Sequence, residues 1–309
     1  MPLGAHLPTS KGFVAAVEHA LLLRCSCLQL FTKSPRSWNA MPLDAAKTAD
    51  FRAAWGATGH APLVIHDSYL INLAAPDEMA RQKSIAAMID EVERAEALGA
   101  DFLVTHCGSH LAKGSAEGEA LGLRTLAASL EEVLAQTPGA HVRITLENTA
   151  AQGTCLGGPF EHIGEVLQSV DSSRLAVCLD TCHAFAAGHS IQDPDQLDAV
   201  LKDFDKKIGL KHLAVIHLND SKGLLGSHLD RHEHIGEGQI GRAAMRAIVT
   251  HPKLRDKPFI LETPELETCV GRNLNTVRAF RGEVLVGEDL PFSDDAPAVA
   301  AKGSAKRSD

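Results

Sequence analysis

The sequence predicts a single α/β domain, a (β/α)8 (TIM) barrel, and three observations carry that expectation. Eight short apolar runs recur along the first 280 residues. Most are followed by a stretch with apolar residues at helical spacing. Strands that alternate with helices pair in parallel, and eight such units fit the length of one barrel. The same alternation also allows an open doubly wound sheet. That fold is disfavoured because no G-x-G-x-x-G follows the first run.

The elements are expected in this order. A strand over 3–6 precedes a helix that Ser10 and Lys11 open and that runs to about 21. The second strand is 27–31, followed by an amphipathic helix over 44–55. The third, 63–66, precedes a long helix over 76–98, where Ile85, Met88, Ile89, Val92 and Ala95 mark one face and Gly99 stops the chain turning. The fourth, 102–106, leads to a helix over 117–135 that ends near Pro138-Gly139. The fifth, 142–147, leads to a helix over 160–170, and the sixth, 175–180, to one over 194–204. The seventh is 213–218, with a short helix over 241–249. The eighth, 259–262, precedes a closing helix over 265–281. The barrel domain is therefore expected over 1–286. The remainder, 287–309, is rich in Ala, Ser, Asp and Lys without apolar period, and is expected to be a disordered tail.

Composition narrows the function classes. The chain is 45% hydrophobic and 22% charged, as ordinary soluble domains are. No apolar run approaches the ~20 residues of a membrane span. The first residues lack a basic segment followed by an apolar one, so a cytoplasmic protein without membrane association is expected. Seven cysteines without framework spacing suggest reduced thiols. A formal charge of −9 weighs against a nucleic-acid partner. Three divalent cations would bring it to about −3, and the local field of the site would then matter more.

Sixteen histidines are many for this length, and several end apolar runs. The segment 217–238 is the densest, with His217, His228, Asp230, His232 and His234. In a barrel of this kind the active site forms at the C-terminal ends of the strands. Those ends carry His6, His66, His106, Glu147, Asp180, His217 and Glu262. His183 follows Asp180 by three residues, and Asp230 and His232 come from the dense segment. The candidate ligand set is His66, His106, Glu147, Asp180, His183, His217, Asp230, His232 and Glu262. One strand-end histidine is commonly a hydrogen-bonded structural residue; nine such groups at one barrel mouth call for another reading. Four crowded carboxylates would repel or take up protons unless cations neutralised them. Imidazole with carboxylate suits zinc, and manganese can replace zinc at a mixed nitrogen and oxygen site. His6 is expected to support the site, Cys107 and Cys182 to fill space, and His228 and His234 to lie outside the ligand set.

At these positions the sequence resembles endonuclease IV, the family of apurinic/apyrimidinic endonucleases. The motifs are G-A-H at 4–6, F-T-K-S-P-R-S-W at 31–38, H-D-S-Y-L-I-N-L at 66–73 and H-C-G-S-H at 106–110. They continue with L-E-N-T-A-A-Q-G at 146–153, C-L-D-T-C-H-A-F-A-A-G at 178–188 and H-L-N-D-S-K at 217–222. D-R-H at 230–232, G-E-G at 236–238 and L-E-T-P at 261–264 complete the order, so the resemblance covers roughly 3–280.

The resemblance implies a (β/α)8 barrel with three zinc ions. It places His66, His106 and Glu147 on one ion. Glu147 bridges to a second, held also by Asp180, His217 and Glu262. His183, Asp230 and His232 hold the third. Ions so arranged acidify a water and polarise a phosphodiester. Glu262 and Glu147 are then the catalytic carboxylates, with Glu262 also placed to orient or deprotonate the attacking water. Double-stranded DNA with abasic sites is the implied partner. Cleavage 5′ to the lesion leaves a 3′-hydroxyl and a 5′-deoxyribose phosphate, and 3′-end trimming is a further implied activity. Arg36, Tyr69 and Leu70 stand where the family inserts side chains into the duplex, the kind of wedge that kinks DNA elsewhere. Lys33, Lys222 and Arg231 are candidate phosphate contacts. A monomer is expected. The rival enzyme class is a metal-dependent sugar isomerase on a similar barrel; it needs fewer, harder ions and no wedge loop.

Overall fold

Eight parallel strands close into a barrel in the computed structural model, which describes residues 2–287. The strands are β1 (Leu3–His6), β2 (Cys27–Phe31), β3 (Leu63–His66), β4 (Phe102–His106), β5 (Arg143–Glu147), β6 (Leu175–Asp180), β7 (Leu213–His217) and β10 (Phe259–Leu261). Each pairs with its neighbour in chain order, and β10 closes the ring by pairing with both β7 and β1. All eight expected strands form. Only 288–309, nearly all of the expected tail, lies outside the described residues, together with Met1.

The helices on the outside are α1 (Phe13–Leu22), α2 (Ala45–Thr58), α3 (Glu78–Leu98), α4 (Ala116–Gln136), α5 (Phe160–Val170), α7 (Pro194–Lys207), α8 (Arg242–Thr250) and α9 (Leu266–Phe280). Their ends follow local chemistry. Asp44, Asp77, Ser115 and Asp193 each cap a helix by accepting a backbone N–H in its first turn. Gly99 ends α3 in the left-handed region at φ 76°, as its position suggests. Two features are not expected from the sequence. A short helix, α6 (Thr181–Ala187), follows β6 directly, capped by Asp180. A small antiparallel ladder joins β8 (Asp220–Ser221) to β9 (His232–Glu233) and brings the dense histidine segment back to the barrel mouth.

The strand period of two explains where the polar residues go. Cys27, Val64, Val104, Cys178, Val215 and Ile260 point inward and form a buried cluster inside the ring. Two residues on, the same face carries Gln29, His66, His106, Asp180, His217 and Glu262. An apolar plug thus forms the floor and a polar layer sits on it. At Gly4 the register demands a bare backbone, because a Cβ there would lie 1.9 Å from the Cys27 carbonyl oxygen. The larger apolar core fills the space between strands and helices. All seven cysteines are free thiols. No helix among the described residues is long and apolar enough to cross a membrane.

Candidate metal centre

Glu147 is the hub of the polar layer. Its side chain is 1% exposed. One carboxylate oxygen, Oε2, lies 3.4 Å from His66 Nε2 and 3.5 Å from His106 Nε2. The other, Oε1, lies 3.1 Å from both His183 Nδ1 and His217 Nδ1. Glu262 Oε2 is 3.2 Å from His217 Nδ1. Asp230 Oδ1 is 3.2 Å from His183 Nε2 and 3.5 Å from His232 Nε2, and Asp180 Oδ2 is 3.6 Å from His232 Nε2. All nine sequence-predicted ligands therefore meet in one connected cluster.

The cluster fits cations better than it fits itself. Glu147 Oε2 and His232 Nε2 are buried atoms without a hydrogen-bond partner, a costly state for polar groups. Three rings are oriented by backbone carbonyls on their other nitrogen: His66 Nδ1 on Asp67 O at 3.0 Å, His183 Nδ1 on Asn148 O at 2.9 Å and His232 Nδ1 on Glu262 O at 2.9 Å. That leaves each Nε2 lone pair aimed into the cluster, the arrangement metal-binding histidines use. Donor groups within 4.8 Å of one another include His66 with His106 and Glu147, and His183 with Asp230 and His232.

The protonation pattern points the same way. Burial works against charge at Glu147, but His217, His106 and His183 hold its carboxyl well below the usual 4.5. Glu262 is also held low, against its burial, chiefly by His217 and His6. Asp230 is lowered to about 2, with burial opposed by His183. Burial would lower His66, yet Glu147 pushes it up to about 9. His183 and His217 are raised well above 6.5 despite their burial. Without ions, protons on imidazoles supply the positive charge that the carboxylates require.

A cleft of about 270 Å³ opens beside the cluster, lined by Tyr69, Asn72, His106, Ser109, Gln152 and Asp230 among others. A larger hollow of about 450 Å³ lies between the starts of α1 and α2 and contains none of the ligand set. The chemistry and the larger space do not coincide, and donor geometry locates the site.

Comparison with known proteins identifies the family. The model of the xylose isomerase-like TIM barrel family matches residues 19–280. A probable endonuclease 4 of Chloroflexus aggregans is 42% identical over 273 residues, covering 88% of this chain and 94% of its own. One from Methanosphaerula palustris is 41% identical over 281 residues, covering 90% and 96%. The crystal structure of endonuclease IV from Thermus thermophilus superposes with a TM-score of 0.80 at 36% identity, covering 92% of this chain and all of that one. The chain belongs to the endonuclease IV family. A D-tagatose 3-epimerase-like protein superposes with a TM-score of 0.67 at 17% identity, which is a likeness of fold alone.

In this endonuclease IV barrel the loops around the mouth sort the remaining predicted residues. Arg36 is exposed in the β2–α2 loop. Tyr69 is 55% exposed, with its ring 5.7 Å from that of His66 and 6.4 Å from that of His106. The Tyr69 N–H donates to Pro35 O, and Ser68 Oγ donates to the same oxygen, so the two loops are fastened side by side. Leu70 is half-buried. Arg231 is exposed and donates to the Asp230 carbonyl, and Lys222 is half-exposed with Glu233 at 3.8 Å.

Lys33 does not fit the expected phosphate contact. Its side chain is 5% exposed, and its ammonium lies 2.6 Å from Asp90 and 3.3 Å from Glu91 on α3. The thiols of Cys107 and Cys182 are buried, and burial pushes both up to about 12, so they stay neutral fillers in this arrangement.

Four functional neighbours escape sequence reasoning. Gln29 donates to Glu262 Oε1 at 2.6 Å while its Oε1 sits 2.8 Å from His217 Nε2. His6, the expected support, has its Nδ1 2.9 Å from Gln29 and backs the same carboxylate at 3.5 Å. Asn219 donates to Asp180 Oδ2 at 2.7 Å and accepts the Glu262 N–H at 2.9 Å. Asn148 accepts the Asp180 N–H at 2.7 Å. Asp220 is completely buried and organises the β8–α8 loop. The signal available for Gln29 was its place two residues after inward Cys27.

Proposed function

We propose that this protein is a metal-dependent DNA repair endonuclease that hydrolyses the phosphodiester 5′ to an abasic nucleotide in double-stranded DNA. The observation that carries this reading is the Glu147 carboxylate, whose two oxygens each face a different pair of imidazoles at the centre of a nine-ligand cluster. In the proposed assignment, His66, His106 and Glu147 hold one zinc. Glu147, Asp180, His217 and Glu262 hold a second. His183, Asp230 and His232 hold a third. The donor set is nitrogen and oxygen throughout, which zinc accepts and manganese can share. Such ions acidify water and polarise phosphoryl oxygens.

The chain's own residues do the rest. Gln29 and His6 hold Glu262 so that its second oxygen faces the cluster, where it can orient the attacking water and accept its proton. Asn219 and Asn148 fix Asp180. Tyr69 and Leu70, beside Arg36, enter the duplex at the lesion, where the missing base makes extrusion of the nucleotide cheap. Arg231 and Lys222 take backbone phosphates; the buried Lys33 leaves this group. The products are a 3′-hydroxyl and a 5′-deoxyribose phosphate, and the same centre trims blocked 3′ ends. The protein acts as a monomer.

The test is a duplex with one tetrahydrofuran abasic analogue, incubated with metal-loaded or chelator-stripped protein. A nick 5′ to the analogue that chelation abolishes and zinc restores is expected. Absence of that nick overturns the reading, and turnover of a ketose instead would favour the isomerase class.

A further inference from the structure

His234 lies outside the nine-ligand centre, yet it has partners of its own. A ring nitrogen of His234, a carboxylate oxygen of Glu265 and the sulfur of Cys269 all lie within 4.8 Å of one another. None of the three belongs to the nine residues assigned above. Glu265 and Cys269 are four residues apart at the start of α9, so they share one face of its first turn. His234 comes from the loop after β9.

Hydrogen-bond accounting leaves one of the acceptors around Asn273 short of a donor, and His234 Nδ1 is one of the three. The Asn273 amide is oriented by the Ile235 N–H, which donates to its Oδ1 at 3.0 Å. The amide nitrogen then faces three acceptors: Thr263 Oγ1 at 3.0 Å, Cys269 O at 3.1 Å and His234 Nδ1 at 3.1 Å. An amide carries two hydrogens, so one acceptor goes without. Thr263 and the Cys269 carbonyl can take both, which frees the imidazole lone pair for a cation. Glu265 is held in the left-handed region at φ 54°, which a residue with a side chain adopts at a cost. It makes no side-chain cap to α9; its carboxylate instead accepts from the Cys269 thiol at 3.4 Å. A thiol that already points at a carboxylate can lose its proton to solvent when an ion takes the proton's place.

We propose that His234, Glu265 and Cys269 form a separate binding site for a borderline-soft divalent cation, zinc or cobalt(II) in class. One imidazole, one thiolate and one carboxylate match the donor preferences of such ions, with water completing four-coordination. Glu265 is exposed and the other two are half-buried, so an ion can reach the site. A bound ion would fasten the segment that carries Asp230 and His232 to α9.

The experiment uses the full chain, stripped by chelation and titrated with cobalt(II). The nine-ligand centre is proposed to bind through nitrogen and oxygen only, but Cys178 and Cys182 lie close to it, so a sulfur-to-cobalt charge-transfer band in the near ultraviolet reports this site when it depends on Cys269. Wild type should develop the band. Cys269→Ser should lose it and hold one ion fewer per chain by elemental analysis. His234→Gln should keep the sulfur but need at least roughly ten times more cobalt to reach the same absorbance. Visible bands from the nitrogen and oxygen sites check that each variant is folded. A wild type without the band overturns the proposal. So does a band that survives in Cys269→Ser, which would assign the sulfur to Cys178 or Cys182. If Cys269→Ser retains no cobalt at all, Glu265→Gln decides: a titration shifted to higher cobalt supports the site, and one that matches wild type overturns it. None of these outcomes depends on DNA cleavage.

Discussion

Glu262 and Tyr69 carry the residue-scale predictions. Glu262 has 16% of its side chain exposed where Glu147 has 1%, so Glu262 is the glutamate that water can reach. Replacing it with Gln keeps the shape and removes the base. Nicking of the abasic duplex should fall by ~10²–10⁴-fold, the range general-base catalysis supplies, while a gel-shift assay should still show duplex binding. Normal cleavage would take Glu262 out of its assigned role. Tyr69→Ala should reduce the preference for abasic over intact duplex by roughly tenfold, since an aromatic stack is worth ~1–3 kcal/mol per base. Its metal content should not change; an unaltered preference would make Tyr69 a wall of the cleft only. The nine candidate ligands could be picked out because each is an ionisable or metal-binding side chain at or near the end of an apolar run, and the fold brings them together. Gln29 could not be, because a neutral amide announces no chemistry and β2 continues past it to Phe31. The burial of Lys33 was not legible either, for the opposite reason. Its sequence neighbour Arg36 is exposed, and nothing local reveals that Asp90 and Glu91 of α3 lie opposite.

At the scale of elements, that same lysine becomes a tie between the β2–α2 loop and α3. Thr32 Oγ1 donates to Glu91 Oε2 at 2.6 Å, and Arg94 of α3 donates to Met41 O at 2.7 Å. Lys33→Met would leave Glu91 buried without its cation. A loss of ~3–5 kcal/mol is expected in denaturant unfolding, as for other half-removed buried pairs. A phosphate contact would behave differently, leaving stability intact and lowering the salt dependence of DNA binding by about one ion. Asp220 holds another loop at the barrel mouth. Its carboxylate accepts backbone N–H groups from Ser221, Gly236, Gly238 and Ile240 at 2.8–3.1 Å. Gly238 must be glycine here, since a Cβ would lie 2.5 Å from both Asp220 Oδ1 and Ser221 O. Asp220→Ala strands several donors at ~1–3 kcal/mol each and frees the loop that delivers Asp230 and His232. The variant should bind one zinc fewer by elemental analysis while keeping the ions assigned to Glu147. Full metal content would refute the anchor. Strands were legible from apolar runs, and the long helices from their period and caps. The β8–β9 ladder was not, because two-residue strands have no periodicity and their pairing depends on where β7 ends.

For the molecule as a whole, the decisive quantity is charge at the barrel mouth. The chain carries a formal −9, and the mouth concentrates Glu147, Asp180, Asp230 and Glu262. In chelated protein, imidazolium charge must balance them. His66 has its folded value raised from 6.5 to about 9, so its contribution to stability is fully present below 6.5 and lost as pH rises through about 9. His183 and His217 shift in the same direction. Asp230 is depressed from 3.8 to about 2, so its contribution is present above 3.8 and lost as pH falls through about 2. Glu147 and Glu262, both lowered from 4.5, act in the same sense. The chelated protein should therefore be most stable between the ordinary carboxylate and imidazole values, and should weaken steadily above 6.5. Metal reverses that slope, because ions compete with protons for the same imidazoles and bind better as pH rises. Thermal unfolding followed by circular dichroism, with and without chelator, should give two curves that diverge between 6.5 and about 9, the metal-loaded one holding while the chelated one falls. Parallel curves across that window would mean that the histidines do not carry the balancing charge, and the case for cations at the mouth would lose its electrostatic support.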